Sequence, residues 1–446
     1  MSWRANVVVV VHDRPAASSL VKALAAHCCS VFTVAPSEAP VEAVRARRPD
    51  VVILQATQPA AAALDIARAL KADAATEHTP IILLTDASDR APVADGLDAV
   101  VDDILLSRSS DTELYTHLQV LMRLNVMRSE LARRAAIHQS YGLSREPFHV
   151  EPISTESVTI LTAGDFARDL KTLVAAVGQA RSLTFADTPQ SAIDKLNAAS
   201  FDAAVVSVDG AADEWLTMCG DIRDNPRLFH LPVLVLADPH NLLDPAALYE
   251  KGASDVLVRP LDEEVLRSRL MLLVKQHRYQ RRMQETYHRA RHLETGDSLT
   301  GLYCFGYLHD YLASLIADAE LRAREFSVGF FDVDGMARIN QRYGYAGGDV
   351  LLRQVASSIG RLVRGEDLTA RYGGEEFCVV MPETSQEAAA TALRRIAGVI
   401  GQTEFGVATA EGPVVIRLKV GCAGFDPRES GDSAESLIAR ARAAAR

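Results

Sequence analysis

"LTARYGGEEFCVVM", residues 368–381, sets two glycines and two glutamates between short apolar runs. Gly-Gly between segments rich in β-formers predicts a two-residue hairpin, because both central positions tolerate φ > 0. The stretch reads as two antiparallel strands with Gly373 and Gly374 at the turn and Glu375 and Glu376 just past it. Most hairpins of this kind carry no chemistry, and glutamates beside a turn are ordinarily solvated. Whether this one is also a site depends on the sequence around it.

The hairpin lies in a C-terminal stretch, residues 297–446, where "FSVGFFDVD" (326–334) and "VVIRLKVGCAGF" (414–425) read as further strands. Helical runs separate them, "AGGDVLLRQVASSIGRLV" (346–363) and "SQEAAATALRRIAGVIG" (385–401). Strands alternating with helices, with hairpins among them, predict an α/β domain with a mixed sheet. Upstream, residues 1–137 alternate runs such as "NVVVVV", "DVVIL", "PIILLT" and "DILL" with helical stretches. Runs apolar at every position are strands buried on both faces, as in a doubly wound parallel sheet covered by helices. Residues 155–277 repeat that pattern with "VTILT", "DAAVVSV", "PVLVLA" and "DVLV". Asp50 and Asp202, Pro80 and Pro232, and Asp103 and Asp255 are each 152 residues apart, so the two stretches read as copies of one domain. The charged stretch 278–296 reads as a connecting helix, suited to a dimer stalk.

Bulk properties exclude several classes. At 446 residues the chain has room for about three domains of ~150 each. A net charge of −11 argues against nucleic acid or an anionic membrane as the main partner. Six cysteines with no CxxC, two of them adjacent at Cys28 and Cys29, fit reduced thiols and a cytoplasmic protein. No run reaches the 18 or so apolar residues of a membrane span.

Acidic residues gather at strand ends. Asp332 and Asp334 close one strand, and Glu375 and Glu376 open another. If those strands are neighbours, their carboxylates meet at one edge, and such oxygen donors suit Mg²⁺ or Mn²⁺. Two cations held there would serve phosphoryl or nucleotidyl transfer. Glycines 373 and 374 would let a bulky ligand approach the backbone. Solvated acids on loops remain the alternative on these residues alone.

The motifs match a family. Residues 297–446 resemble the GGDEF domain of diguanylate cyclases, with Gly373-Gly374-Glu375-Glu376-Phe377 as the GGEEF form of the signature. "FFDVDGMARIN" resembles the family's metal-binding strand and following loop, Asn340 and Asp349 its guanine-reading pair, and "DSLTGL" (297–302) its opening. Arg364-Gly365-Glu366-Asp367 resembles the RxxD product-inhibition site, with Arg395 as a third member. The two upstream stretches resemble CheY-like receivers, and the whole chain the PleD-type response regulators. The resemblance implies a homodimer in which the 3′-hydroxyl of each GTP attacks the α-phosphate of the other, giving cyclic di-GMP and two pyrophosphates. Asp332, Glu375 and the carbonyl of Val333 would hold Mg²⁺, and Glu376 would support a second metal or the attacking hydroxyl. Asn340 and Asp349 would read guanine, and Gly373 and Gly374 would line the substrate.

There are departures. Cys304 and Phe305 replace an Asn-Arg pair, Ala337 replaces a lysine, and the family's C-terminal tyrosine and Ala-Lys have no counterpart in "LIARARAAAR". Fewer cations on a triphosphate predict weaker binding. In the first receiver-like copy His12-Asp13, Gln55, Thr85 and Ser107 occupy the acid-pair, acceptor, hydroxyl and lysine places; Gln55 cannot form an acyl phosphate. In the second, Thr162-Ala163, Ser207 and Arg259 stand there, with Asp209 two residues late. Two functions follow: an active cyclase with product inhibition, or a weak or inactive GGDEF module that binds GTP or cyclic di-GMP as an effector.

Overall fold

The computed structural model describes residues 5–11, 18–26, 29–56, 61–85, 101–106, 111–142, 157–164, 166, 168–178, 182–208, 212–225, 228, 230–239, 248–249, 251–290, 295–407, 412–428 and 431–445. They fall into two compact units, one of Ala5–Asn125 with Glu151–Tyr279, the other chiefly of Val126–Val150 with Gln280–Arg446.

The first unit holds two parallel sheets. Strands β1 (Asn6–Val10), β2 (Ser30–Val34), β3 (Val51–Gln55), β4 (Ile81–Thr85) and β5 (Asp103–Leu106) are ordered β2-β1-β3-β4-β5. Helices α1 (Ser18–Ala26), α2 (Pro40–Arg47) and α3 (Ala61–Ala72) connect them, and α4 (Asp111–Ser140) follows. Strands β6 (Thr159–Gly164), β7 (Ser182–Ala186), β8 (Ala203–Val208), β9 (Val233–Ala237) and β10 (Asp255–Val258) take the same arrangement, β7-β6-β8-β9-β10. Their helices are α5 (Leu170–Val177), α6 (Pro189–Ala198), α7 (Ala212–Asp224) and α8 (Glu263–Ala290). Every residue of β4, β8 and β9 is buried, which is why these strands read as unbroken apolar runs.

The 152-residue offset has a physical cause. Asp50 accepts from Asn6 N–H at 2.7 Å, and Asp202 accepts from Thr159 N–H at 2.9 Å. The carbonyls of Pro80 and Pro232 accept from Val52 and Ala204, both at 2.9 Å. Asp103 and Asp255 each take the N–H of the following residue at 2.8 Å. Each repeated residue caps the same strand start in both sheets.

The second unit contains α9 (Phe305–Arg322), β11 (Phe326–Val333), α10 (Met336–Leu362), β12 (Leu368–Gly373), β13 (Glu376–Met381), α11 (Gln386–Gly401), β14 (Leu418–Phe425) and α12 (Ala434–Ala444). The sheet order is β12-β13-β11-β14, and every pairing of these strands is antiparallel, not mixed as expected. The crossover through α10 does run β11 and β12 in the same direction, but β13 lies between them. Among the described residues, a parallel contact occurs there as an isolated bridge between Tyr303 and Ala370. Alternate residues face opposite layers. Phe330, Cys378 and Val380 pack with α9 and α12, while Phe331, Phe377 and Val379 pack with α10 and α11.

The expected domain limit at 137 falls inside α4, whose residues from Val126 belong with the second unit. Ile137 enters the core beside Tyr307 and Tyr311. Arg133 donates to the Ser314 carbonyl and to Asp318, both at 2.8 Å, and Tyr141 donates to Asp310 at 2.6 Å. The segment expected to connect at 278 is the tail of α8, a helix that starts at Glu263.

Candidate active site

The hairpin of residues 368–381 forms, shifted by one residue. Gly373 pairs with Glu376, so the two central residues are Gly374 and Glu375 rather than the two glycines. Gly374 takes φ +56, the left-handed conformation that costs glycine least. Arg371 holds the turn: its Nε and one terminal nitrogen donate to the Gly374 carbonyl at 3.0 and 2.7 Å. Its other terminal nitrogen donates to Asp297 at 3.1 Å. Asp297 in turn accepts from the Thr300 N–H and hydroxyl at 2.8 and 2.7 Å. Burial pushes the Asp297 carboxyl up, but the Thr300 hydrogen bonds and the Arg371 charge outweigh it and hold it below the usual range. The "DSLTGL" stretch is thus tied to the hairpin through one guanidinium.

Strand β13 lies directly against β11, with Asp332 opposite Glu376. Glu375 was expected opposite Asp332; the register makes Glu376 its partner instead. Glu375 sits at the turn and is joined to β11 through its carbonyl, which accepts from Val333 N–H at 3.2 Å. Directly opposed residues share a face with Cβ atoms about 5 Å apart, so two like charges meet here. Two cations flank them. Lys419 Nζ lies 3.9 Å from both Asp332 and Asp334, and Arg442 donates to Glu376 Oε1 through Nε at 2.8 Å. All of these groups keep solvent contact: Asp332 is 32% exposed, Asp334 46% and Glu376 20%.

Among the described residues no three acidic, histidine or cysteine side chains are drawn close enough to cage a metal ion. Two carboxylates with a carbonyl still fit Mg²⁺, which keeps several waters and is held by one or two carboxylates together with substrate phosphates. The donor chemistry of Asp332, Glu375 and the Val333 carbonyl is of that kind.

Asn340 and Asp349 lie on α10, either side of a kink at Gly344. The second half-helix comes close enough to the first that a methyl on Gly348 would sit 2.0 Å from Asn340 Oδ1. The two halves of the helix thus approach closely beside Gly348, next in the chain to Asp349.

The Arg364–Asp367 segment precedes β12, at the end away from the hairpin. Arg364 is exposed, whereas Asp367 is buried and its carboxylate accepts from the Arg364 backbone N–H at 2.9 Å. Burial, then the neighbouring Glu366 carboxylate, pushes Asp367 up to about 7. The turn is held from behind by Arg134 of α4, 2% exposed, which donates to the carbonyls of Glu366 and Asp367 at 2.7 and 3.0 Å. Arg395 is exposed on α11.

At the end of the second parallel sheet, Arg259 is buried and donates to Asp169 at 2.6 Å and to Ser207 at 2.7 Å. In the first sheet Gln55 carries a buried Oε1 with no hydrogen-bond partner among the described residues. His12, Asp13, Ser107 and Asp209 lie outside the described residues. Sequence reasoning missed Arg371, Lys419 and Arg442. Lys419 was findable, because it sits on the apolar strand that closes the sheet. Nothing in the local pattern marks the Arg371–Asp297 or Arg442–Glu376 pairs, whose members are 74 and 66 residues apart.

Residues 294–446 match the family "Diguanylate cyclase, GGDEF domain", and residues 8–119 match "Response regulator receiver domain". The chain therefore carries a GGDEF domain and a receiver domain. It is similar to "Response regulator PleD" of Caulobacter vibrioides, 27% identical over 437 residues that make up 97% of this chain and 95% of that protein. It is also similar to "Diguanylate cyclase A" of Treponema denticola, 33% identical over 153 residues, 33% of this chain and 40% of that protein. A solved structure of the GGDEF domain of DgcB from Caulobacter crescentus in complex with c-di-GMP is 31% identical, covering 34% of this chain and 85% of that one at a TM-score of 0.32. Among the described residues no helix is long and apolar enough to cross a membrane.

Proposed function

We propose that residues 297–446 are an active diguanylate cyclase domain working as a cytoplasmic homodimer. The carrying observation is the antiparallel register that sets Asp332 against Glu376 beside an open glycine turn, with Glu375 at the tip. Each domain binds one GTP. The 3′-hydroxyl of each GTP attacks the α-phosphorus of the other; one P–O bond forms and the bond to pyrophosphate breaks, twice. Two pyrophosphates leave and two protons pass to solvent. Asp332, Glu375 and the Val333 carbonyl would hold Mg²⁺ or Mn²⁺, whose charge would neutralise the triphosphate and align it. Asn340 and Asp349 hydrogen-bond the guanine edge, a polar demand that disfavours ATP. Gly373 and Gly374 leave room for the phosphates.

Cyclic di-GMP binding through Arg364, Asp367 and Arg395 supplies product inhibition; because Asp367 is buried, Arg364 and Arg395 offer the exposed donors and Asp367 holds the turn. Residues 155–277 are a second receiver domain without an acceptor aspartate, supported by its strand order and the 152-residue repeat. A second reading, a weak or inactive module binding these nucleotides as effectors, is favoured by the Arg442 guanidinium already seated on Glu376. Incubating the pure chain with GTP and Mg²⁺ decides between them. Cyclic di-GMP with two equivalents of pyrophosphate is the expected product, and nucleotide binding with no product would establish the effector reading.

A further inference from the structure

Two opposed carboxylates on neighbouring strands repel one another unless something positive lies nearby. On β13 that something is Arg442. Its Nε and a terminal nitrogen reach Glu376 Oε1 at 2.8 and 2.7 Å. Its guanidinium carbon also lies 5.6 Å from the Tyr372 ring and 6.0 Å from the Phe330 ring, so aromatic faces hold it from below. The placement is built into the packing. Helix α12 lies so close on β14 that a methyl on Gly421 would come 1.9 Å from the Ala441 carbonyl oxygen. Ala441, Leu437 and Ile438 bury the same helix face. Arg442, next in the chain after Ala441, is carried to the end of β13 by that contact.

We propose that Arg442 is a positioning residue that acts as the resident counter-ion of Glu376 and keeps this carboxylate from the divalent cation, leaving Asp332 and Glu375 to take it first. The inference rests on the cyclase reading of the site. A guanidinium and a divalent cation cannot both sit at full strength on one carboxylate, so cation binding at Glu376 competes with the Arg442 pair. Arg442 thereby separates two acids that the register puts side by side: one remains available to the metal, the other is held for a later role.

The test measures Mn²⁺ binding by electron paramagnetic resonance on the full chain, saturated with 3′-deoxy-GTP, which lacks the attacking hydroxyl and cannot turn over. Circular dichroism checks that each variant folds. Arg442→Gln is expected to bind Mn²⁺ about 3- to 5-fold more tightly than wild type, the upper part of the range expected for one solvent-exposed ion pair. Arg442→Lys, which keeps the charge, is expected to stay within about 2-fold of wild type. On a Glu376→Gln background, Arg442→Gln is expected to change nothing, because the competing carboxylate is gone. The proposal is overturned if Arg442→Gln leaves Mn²⁺ affinity unchanged, if it tightens binding equally on the Glu376→Gln background, or if no variant binds Mn²⁺ at all. Failure of the cyclase reading shows separately, as wild-type protein that binds Mn²⁺ with the analogue yet makes no cyclic di-GMP from GTP.

Discussion

The sheet end at Asp332 and the sheet end at Ser207 solve opposite problems. At Ser207 a buried guanidinium, Arg259, 9% exposed, closes onto Asp169 and the serine hydroxyl, and the charges are satisfied inside the protein. At Asp332 the acids are partly exposed, and the nearest ammonium, Lys419, stops at 3.9 Å, beyond hydrogen-bond reach. A sealed ion pair has no use for an incoming ion. An edge with surplus carboxylate charge and solvent access does.

The sharpest way to break the contrast is at the open edge. Glu375→Gln is expected to lower cyclic di-GMP formation by about 10³-fold or more while leaving the circular dichroism spectrum unchanged, because the lost charge stabilises the transition state and not the fold. Product formed at the wild-type rate would remove Glu375 from the metal site.

The sealed edge should respond in stability instead. Arg259→Ala strands the Asp169 carboxylate in the interior and is expected to cost about 3 kcal/mol locally, whereas Lys419→Ala, on an exposed pair, is expected to cost under about 1 kcal/mol. Hydrogen exchange at the β6 and β8 amides, read against β11, measures both. Similar losses for the two variants would erase the distinction between the two edges.

A third test uses pH. The Asp367 carboxyl is pushed up to about 7 in the folded chain, so between pH ~4 and 7 the native state holds a proton that the unfolded state has released. Stability of this unit should therefore fall as pH rises through that window, by on the order of 1–3 kcal/mol, and Asp367→Asn should flatten the slope. Thermal melts of both proteins at pH 5 and pH 8 report it; parallel slopes would show that Asp367 is not the titrating group.

The smallest expected effect is none. Beryllofluoride, an acyl-phosphate mimic, is expected to change neither activity nor sedimentation, since Gln55 and Ser207 stand at the acceptor positions. A beryllofluoride-dependent dimer would point to Asp13 or Asp209.

The parallel sheets were legible because fully buried strands leave unbroken apolar runs, and because Asp50, Pro80 and Asp103 recur with the hydrogen-bonding jobs they perform. The hairpin was legible from Gly-Gly, but its register was not: a bulge between Arg371 and Gly373 moves the turn by one residue and makes Glu376 the partner of Asp332. The antiparallel sheet was misread as mixed because strand order depends on which strand inserts between two others, which local pattern does not record. Arg442 and Arg134 were invisible for the same reason. Their partners are brought near by tertiary packing alone.

The docking of α4 sets the order in which this protein can be made. Arg134 reaches carbonyls 232 and 233 residues further along the chain, and Tyr311 donates to Glu130 across 181. Domains emerging from the ribosome fold as units, N-terminal first. The tail of α4 is synthesised long before its seat exists, and an entire parallel sheet is translated in between. Closing so long a loop adds little free energy, about 0.6 kcal/mol for each doubling, but contacts of such separation form slowly. The C-terminal unit is therefore completed by a segment synthesised well before the residues that receive it.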